Sequence, residues 1–317
     1  LNPLVSIIIP VYNKAAFVTE TLDSALRQNY TNIELILVND GSTDGSKVIL
    51  EAYQSKFPDK IILIDQPNGG VSKATNIGVQ ASKGEYIQFL DADDILSKDK
   101  IFRQIKLLEN QDFKVMASCA WVNFKEVITE FSSLPYNVFQ SFDSGLDLQL
   151  SFWNNQEMMA ISSYLTHRKL IEKAGPWDDS LTINQDGEFF MRVLLQASKV
   201  LFEPNELVYY RQPGISHVSQ QKSEKAFTSL LDSYQAYEWN VLAIEDSFRV
   251  RKALKKVYQK FIYDVFPKYP HLIEKAESLM DNLGLKEPTY IGGPKFQQLS
   301  KLIGFKNALR LKRILNS

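Results

Sequence analysis

Gly84-Glu85-Tyr86-Ile87-Gln88-Phe89-Leu90-Asp91-Ala92-Asp93-Asp94 passes from an apolar stretch directly into three carboxylates in four residues. Residues 86–90 have the aromatic and aliphatic content of a buried strand, and the acids mark its end. Similar runs precede it. Val5-Ser6-Ile7-Ile8-Ile9 is a β-branched strand expected to stop at Pro10. Residues 33–38 form a second strand leading into the turn Asn39-Asp40-Gly41-Ser42, and residues 61–64 a third, ahead of Asp65. Between them lie helical patterns at 19–28, 44–57 and 71–81, the second capped by Ser42 or Asp44. Near-continuous apolar strands alternating with helices predict an α/β fold, a mostly parallel sheet flanked by helices.

Outward from that core the pattern loosens. Strands are predicted at 115–122 and 199–208, with a helix at 186–197. Residues 224–266 turn helical, and two proline-containing breaks, at 266–270 and 292–294, divide the remainder. No repeat or low-complexity tract interrupts the chain. With 317 residues, 44% hydrophobic and 23% charged, the composition excludes wholesale disorder, and no run approaches the ~20 apolar residues of a membrane span. The start, Leu1-Asn2-Pro3-Leu4-Val5, lacks a basic n-region, so no signal peptide is expected. Cys119 has no second cysteine to pair with, and only His167, His217 and His271 are present, so a metal site must lean on carboxylates.

The net charge of −1 is an average of unlike parts: residues 1–221 carry −8 and residues 222–317 carry +7. A division into an α/β domain, 1–221, and a helical basic region, 222–317, follows.

In open α/β sheets ligands bind beyond the carboxyl ends of the strands. Here those ends carry Pro10-Val11-Tyr12-Asn13, Asp40, Asp65 and the 91–94 acids. Asp44 and Asp65 read equally as turn and cap residues. Asp91, Asp93 and Asp94 repel one another unless a cation or hydrogen-bond donors sit among them. Oxygen-only clusters suit Mg²⁺ or Mn²⁺, and a D-x-D pattern can aim one carboxylate at a nucleotide sugar and the other at the metal. The first turn has no glycine, against a G-x-G-x-x-G dinucleotide site, and the P-loop pattern is absent. Its proline, tyrosine and asparagine offer instead an aromatic face for a base.

Ser6-Ile-Ile-Ile-Pro-Val-Tyr-Asn13 and Leu35-Ile-Leu-Val-Asn-Asp-Gly-Ser-Thr-Asp44 resemble the opening of the family 2 glycosyltransferases. Asn68-Gly-Gly-Val-Ser-Lys-Ala-Thr-Asn-Ile-Gly78 and the 84–94 run continue the resemblance in order, and it extends to roughly residue 215. It implies a GT-A fold, an inverting transfer from a nucleotide-diphosphate sugar, and a divalent cation, Mn²⁺ or Mg²⁺.

The resemblance also implies roles. Pro10, Val11, Tyr12 and Asn13 would wall the base and ribose, with Asp40 on the base edge, which favours uracil although the family includes guanine users. Gly70 and Lys73 fall where the chain crosses the nucleotide; Lys73 touches a phosphate or is an exposed helix lysine. Asp91, with Ala92 beside it, would face the ribose and Asp93 would hold the metal, while Asp94 caps the next helix or supports Asp93. Asp186 matches the aspartate that deprotonates the acceptor, although a helix cap is its bland reading, and Glu188 is the backup. Gln185 stands where the family usually has glutamate. Arg211 and His217 would belong to a loop closing over diphosphate and metal, and Trp177 would stack on the acceptor sugar or sit in the core.

In the tail, the six basic residues after Glu287 meet no acid and interleave with Phe296, Leu299, Leu302, Ile303, Phe305, Leu309, Leu311 and Ile314. Such a stretch fits a helix on an anionic membrane through 289–317, or a solvated helix packed on the catalytic domain. No nucleic-acid module is recognisable. The expected partners are a nucleotide-sugar donor and a glycan or lipid-linked acceptor, in the cytoplasm or on the inner membrane face. Two rival functions stay open: a nucleotidyltransferase, and a non-catalytic sugar-nucleotide or glycan-binding module.

Overall fold

The computed structural model describes residues 2–132, 135–212 and 222–316. The chain divides into two compact units: Leu1–Gln149, Glu157–Ser180 and Gln185–His217 form the first, and Leu150–Gln156, Leu181–Asn184 and Val218–Ser317 the second.

The first unit opens as a strict alternation: β1 (Val5–Val11), α1 (Val18–Leu26), β2 (Ile33–Asp40), α2 (Ser46–Lys56), β3 (Ile61–Gln66), α3 (Val71–Ala81) and β4 (Tyr86–Phe89). All four strands are parallel, in the order β3-β2-β1-β4. Helices must then cover both faces, which is why Ile7, Ile8, Ile9, Leu35, Ile36 and Leu37 are wholly buried. α3 lies so close to β1 that a Cβ on Gly78 would come within 2.5 Å of Ile8 Cγ2.

β1 does not stop at Pro10 as expected. The carbonyl of Ile8 accepts from Leu90 N, so Pro10, two residues on, turns its nitrogen toward the same side. There β4 has already ended at Phe89, and no donor is needed.

Alternation then gives way to tertiary pairing. β5 (Ile95–Leu96), α4 (Lys100–Leu108), β6 (Val115–Phe124), β7 (Phe131–Ser132), α5 (Gly145–Asn155), a 3₁₀ turn (Ile161–Ser163), β8 (Thr166–His167), α6 (Arg168–Ala174), α7 (Gln185–Gln196) and β9 (Lys199–Arg211) follow. β8 joins β4 antiparallel, and a second sheet has the order β5-β9-β6-β7. The acids 91–94 are thus strung between β4 of one sheet and β5 of the other. The architecture is the expected α/β class, with a mostly parallel central sheet flanked by helices.

The second unit is helical: α8 (Glu224–Ile244), α9 (Phe248–Val265), α10 (Pro270–Asn282), α11 (Pro294–Ile303) and α12 (Phe305–Asn316). The stretch expected to be helical from 224 to about 266 comprises two helices, with a break after Ile244 where Ser247 Oγ accepts from Val250 N and caps α9. Leu231, Val241, Val250, Leu254 and Phe261 form its core. Among the described residues no helix is long and apolar enough to cross a membrane.

Candidate active site

The turns after β1 and β2 are laced together. Asn13 adopts φ 52°, which asparagine tolerates, and its Oδ1 accepts from Thr43 N at 2.8 Å. Asn13 N donates to Ser42 Oγ at 3.1 Å, and Lys14 N to Ser46 Oγ at 2.8 Å. This leaves Tyr12 47% exposed beside half-buried Pro10 and buried Val11, with its ring accessible for stacking. Neither proposed residue is the N-cap of α2, which is Gly45; Asp44 lies just before it, its Oδ1 accepting from Ser46 N and its Oδ2 from Ala15 N.

Asp40 is buried, and donors converge on it. Gln66 Nε2 and Gly69 N reach Oδ1 at 2.6 and 2.8 Å, and Gly70 N reaches Oδ2 at 2.9 Å. A carboxylate has about four acceptor positions, so one remains for a ligand N–H. Gly70 makes this turn at φ 90°, a conformation that favours glycine, immediately ahead of α3. Lys73 is exposed on α3. Asp65 is held by Asn39 Nδ2 and Lys47 Nζ, which lower its pKa, so it serves the turn.

The acidic loop is the electrostatic centre. Asp93 is 7% exposed and its Oδ2 is ion-paired with Lys14 Nζ. Asp91, partly accessible, is pushed up to about 7, first by burial and then by the charges of Asp93 and Asp186, with Lys14 opposing. Asp94, beyond buried Ala92, is 1% exposed; burial and then Asp91 and Asp93 raise its pKa. It accepts from Arg211 N at 3.1 Å and Ser162 Oγ at 3.2 Å, so Asp94 supports the loop. Lys14 is the residue that sequence inspection passed over, although it directly follows the Tyr12-Asn13 turn on the ligand edge.

Asp186 lies in the first turn of α7. Burial raises its pKa, while the N–H groups of Gly187 and of Asp186 itself pull it back. Tyr210 also stands in this field: burial and then Asp91, Asp94, Asp186 and Asp93 raise its phenol.

Several expected groups have other commitments. Glu188 is buried in a two-point pair with Arg192, both bonds at 2.7 Å. Arg192 in turn holds the carbonyls of Ala174 and Pro176, so Glu188 is engaged in fastening this segment rather than left as a free base. Trp177 is 3% exposed, stacked on Phe189 at 4.6 Å and edge-on to Phe89 at 5.5 Å, and belongs to the core. Arg211 is 7% exposed between Phe17 and Phe124, at 4.8 and 4.3 Å. It donates to Asp93 O at 3.0 Å, Lys125 O at 2.9 Å and Glu20 Oε2 at 2.7 Å. His217 lies outside the described residues.

Among the described residues no three His, Cys, Asp or Glu side chains are gathered as a complete metal shell. What they offer is a hard oxygen set with surplus negative charge, offset on the protein side by Lys14. That donor set fits a divalent cation whose shell is completed by substrate phosphates and water.

The model of "Glycosyl transferase family 2" matches residues 6–173. A glycosyltransferase of Rickettsia typhi, itself uncharacterised, is 35% identical over 239 residues, 74% of this chain and 70% of that protein. The minor teichoic acid biosynthesis protein GgaB of Bacillus subtilis is 45% identical over 224 residues, 69% of this chain but 24% of its own length. The chain thus spans only a fraction of GgaB. Among solved structures, S. aureus TarS 1-349 in complex with UDP-GlcNAc is similar with a TM-score of 0.63 at 16% identity, covering 98% of this chain and 91% of that one. The mannosyltransferase PcManGT from Pyrobaculum calidifontis, in complex with GDP-Man and Mn²⁺, has a TM-score of 0.54 at 15% identity, covering 100% and 88%. At these identities the structures report a shared fold.

Proposed function

The chain belongs to glycosyl transferase family 2, and on that premise we propose that it transfers a sugar, with inversion, from a UDP-sugar to a hydroxyl of a glycan or lipid-linked acceptor. Family membership makes it a glycosyltransferase, which sets aside the nucleotidyltransferase and the non-catalytic module. The observation that carries the finer reading is the joining of two chemistries in one cluster: the charges of Asp93 and Asp186 both raise the pKa of Asp91. Donor-side and acceptor-side carboxylates then flank one reacting centre.

Tyr12 stacks on the base, with Pro10, Val11 and Asn13 around it, and the open position on Asp40 accepts the ring N–H. Asp91, Ala92 and Gly70 line the sugar-phosphate path, and Lys73 is placed to reach a phosphate from α3. Asp93 would hold the Mn²⁺ or Mg²⁺, which when bound supplies positive charge to the departing diphosphate. Asp186 takes the proton of the acceptor hydroxyl as its oxygen bonds to the anomeric carbon. The bond from that carbon to the diphosphate breaks, its electron pair leaves with UDP, and the anomeric configuration inverts. Arg211 acts by holding the Asp93 loop, and His217 remains a candidate for the metal shell. Uracil is favoured by a lone carboxylate acceptor and is in keeping with UDP-GlcNAc in TarS, while GDP-Man in PcManGT marks the rival base. The name of GgaB supports a cell-envelope polysaccharide as acceptor. Catalysis is assigned to 1–221, with 222–317 as an appended helical region. A cytoplasmic setting follows from the donor, because nucleotide sugars are made there.

Calorimetric titration with UDP tests the donor half. With Mn²⁺ present the chain is expected to bind UDP, and Asp93→Ala to weaken binding about tenfold or more by removing a cation ligand. Equal UDP affinity in both proteins, with and without the cation, would remove Asp93 from the metal role.

A further inference from the structure

The last two helices present a face whose chemistry the sugar transfer does not use. On α12, Ala308 and Leu309 are buried and Lys312 lies over the ring of Tyr263 at 3.7 Å, so one side is seated on its own unit. Elsewhere on the helix Leu311 and Leu315, four residues apart on one stripe, are 36% and 74% exposed. α11 ends on Leu302 and Ile303, 83% and 40% exposed. Lys306, Arg310 and Arg313 recur at four and three residues as a second, exposed stripe on α12. Of these, Lys306 meets Glu277 in a solvent-exposed pair at 2.8 Å, which contributes little. From residue 288 to the last residue the sequence has six basic side chains and no acidic one.

We propose that this face of α11 and α12 docks on an anionic lipid bilayer. Charge complementarity selects the occupant: exposed aliphatic tips at one edge of the free side and a cationic stripe at the other match an acyl boundary beneath acidic headgroups. At 12 residues α12 is far too short to cross a bilayer, and its two-stripe pattern suits a helix lying in the interface. The proposal is independent of which sugar or base the catalytic unit uses.

The test is flotation of the full chain with vesicles of phosphatidylcholine alone and of phosphatidylcholine with one part in three phosphatidylglycerol. Binding is expected on the anionic vesicles at about tenfold or more above the neutral ones, and to fall sharply in high salt. Combined Lys306→Gln, Arg310→Gln and Arg313→Gln should reduce anionic binding to the neutral level. Combined Leu302→Ser and Leu315→Ser should abolish it, with the melting temperature unchanged because these side chains are 83% and 74% exposed. Should either variant fail to fold, the salt titration of the unaltered chain decides. Absence of flotation, or equal flotation on both vesicles, would overturn the proposal. So would a concentration-dependent dimer, lost in the serine variant and without lipid binding, which would give the face to a second copy of the chain.

Discussion

Arg211 shows how a residue of the right chemical type can have its donors committed elsewhere. Its guanidinium bonds to Asp93 O, Lys125 O and Glu20, and it lies over the rings of Phe17 and Phe124. A guanidinium so engaged is a fastening for the acidic loop. Arg211→Lys keeps the charge but loses the planar fork, and is expected to cost about 2 kcal/mol in urea unfolding. It should also weaken Mn²⁺ binding, because Asp93 loses its backbone anchor. Full stability with lost diphosphate affinity would instead place Arg211 on the phosphates. Nothing near residue 211 in sequence announces these partners: Glu20 comes from α1, Asp93 from the loop between β4 and β5, and Lys125 from the end of β6. The same is true of Trp177, whose stack on Phe189 is a tertiary contact. By contrast, Asp91, Asp93, Asp40 and Tyr12 were legible because each directly follows an apolar strand.

At the scale of elements, what could be read followed from periodicity. β1 to β4 and their helices repeat a local pattern, and α3 fell at 71–81 as expected. β5, β7 and β8 are two residues each, too short for any period, and exist only because a neighbouring strand pairs with them. α4 holds a further consequence. Lys100 is wholly buried, its Nζ donating to Gln88 Oε1 and Gln104 Oε1 at 2.5 and 2.8 Å, and burial pushes its pKa down to about 8. In the unfolded chain the same lysine keeps its proton to about 10.4. Between pH 8 and 9 the unfolded state therefore holds more protons at this site, which alone would raise stability with pH by about 1 kcal/mol. Burial lifts the Cys119 thiol to about 11, so over the same interval the folded state holds the extra proton there and offsets about half of the rise. Urea unfolding at pH 8 and 9 checks this, and Lys100→Met should turn the rise into a fall, because only the Cys119 contribution remains. A rise that survives in Lys100→Met would assign it to another group.

At the scale of the whole molecule, a near-neutral chain keeps its acids and bases apart. The −8 of residues 1–221 includes the carboxylates that crowd the strand ends, and the +7 of residues 222–317 supplies the cations of α11 and α12. Polyanionic partners are therefore compatible with a net charge of −1: a diphosphate donor at one place and acidic lipid at another. Family membership places this charge pattern in a sugar transferase, and the claim that ties donor, cation and base together is that Asp186 deprotonates the acceptor. Its most direct measurement is UDP release from a panel of UDP-sugars with Mn²⁺ and an envelope-glycan acceptor, comparing the unaltered chain with Asp186→Asn. The account expects one UDP-sugar to turn over, and Asp186→Asn to lose about 10²–10⁴-fold in rate with donor affinity retained. Undiminished turnover in Asp186→Asn, or no turnover of any UDP-sugar by the unaltered chain, would contradict it.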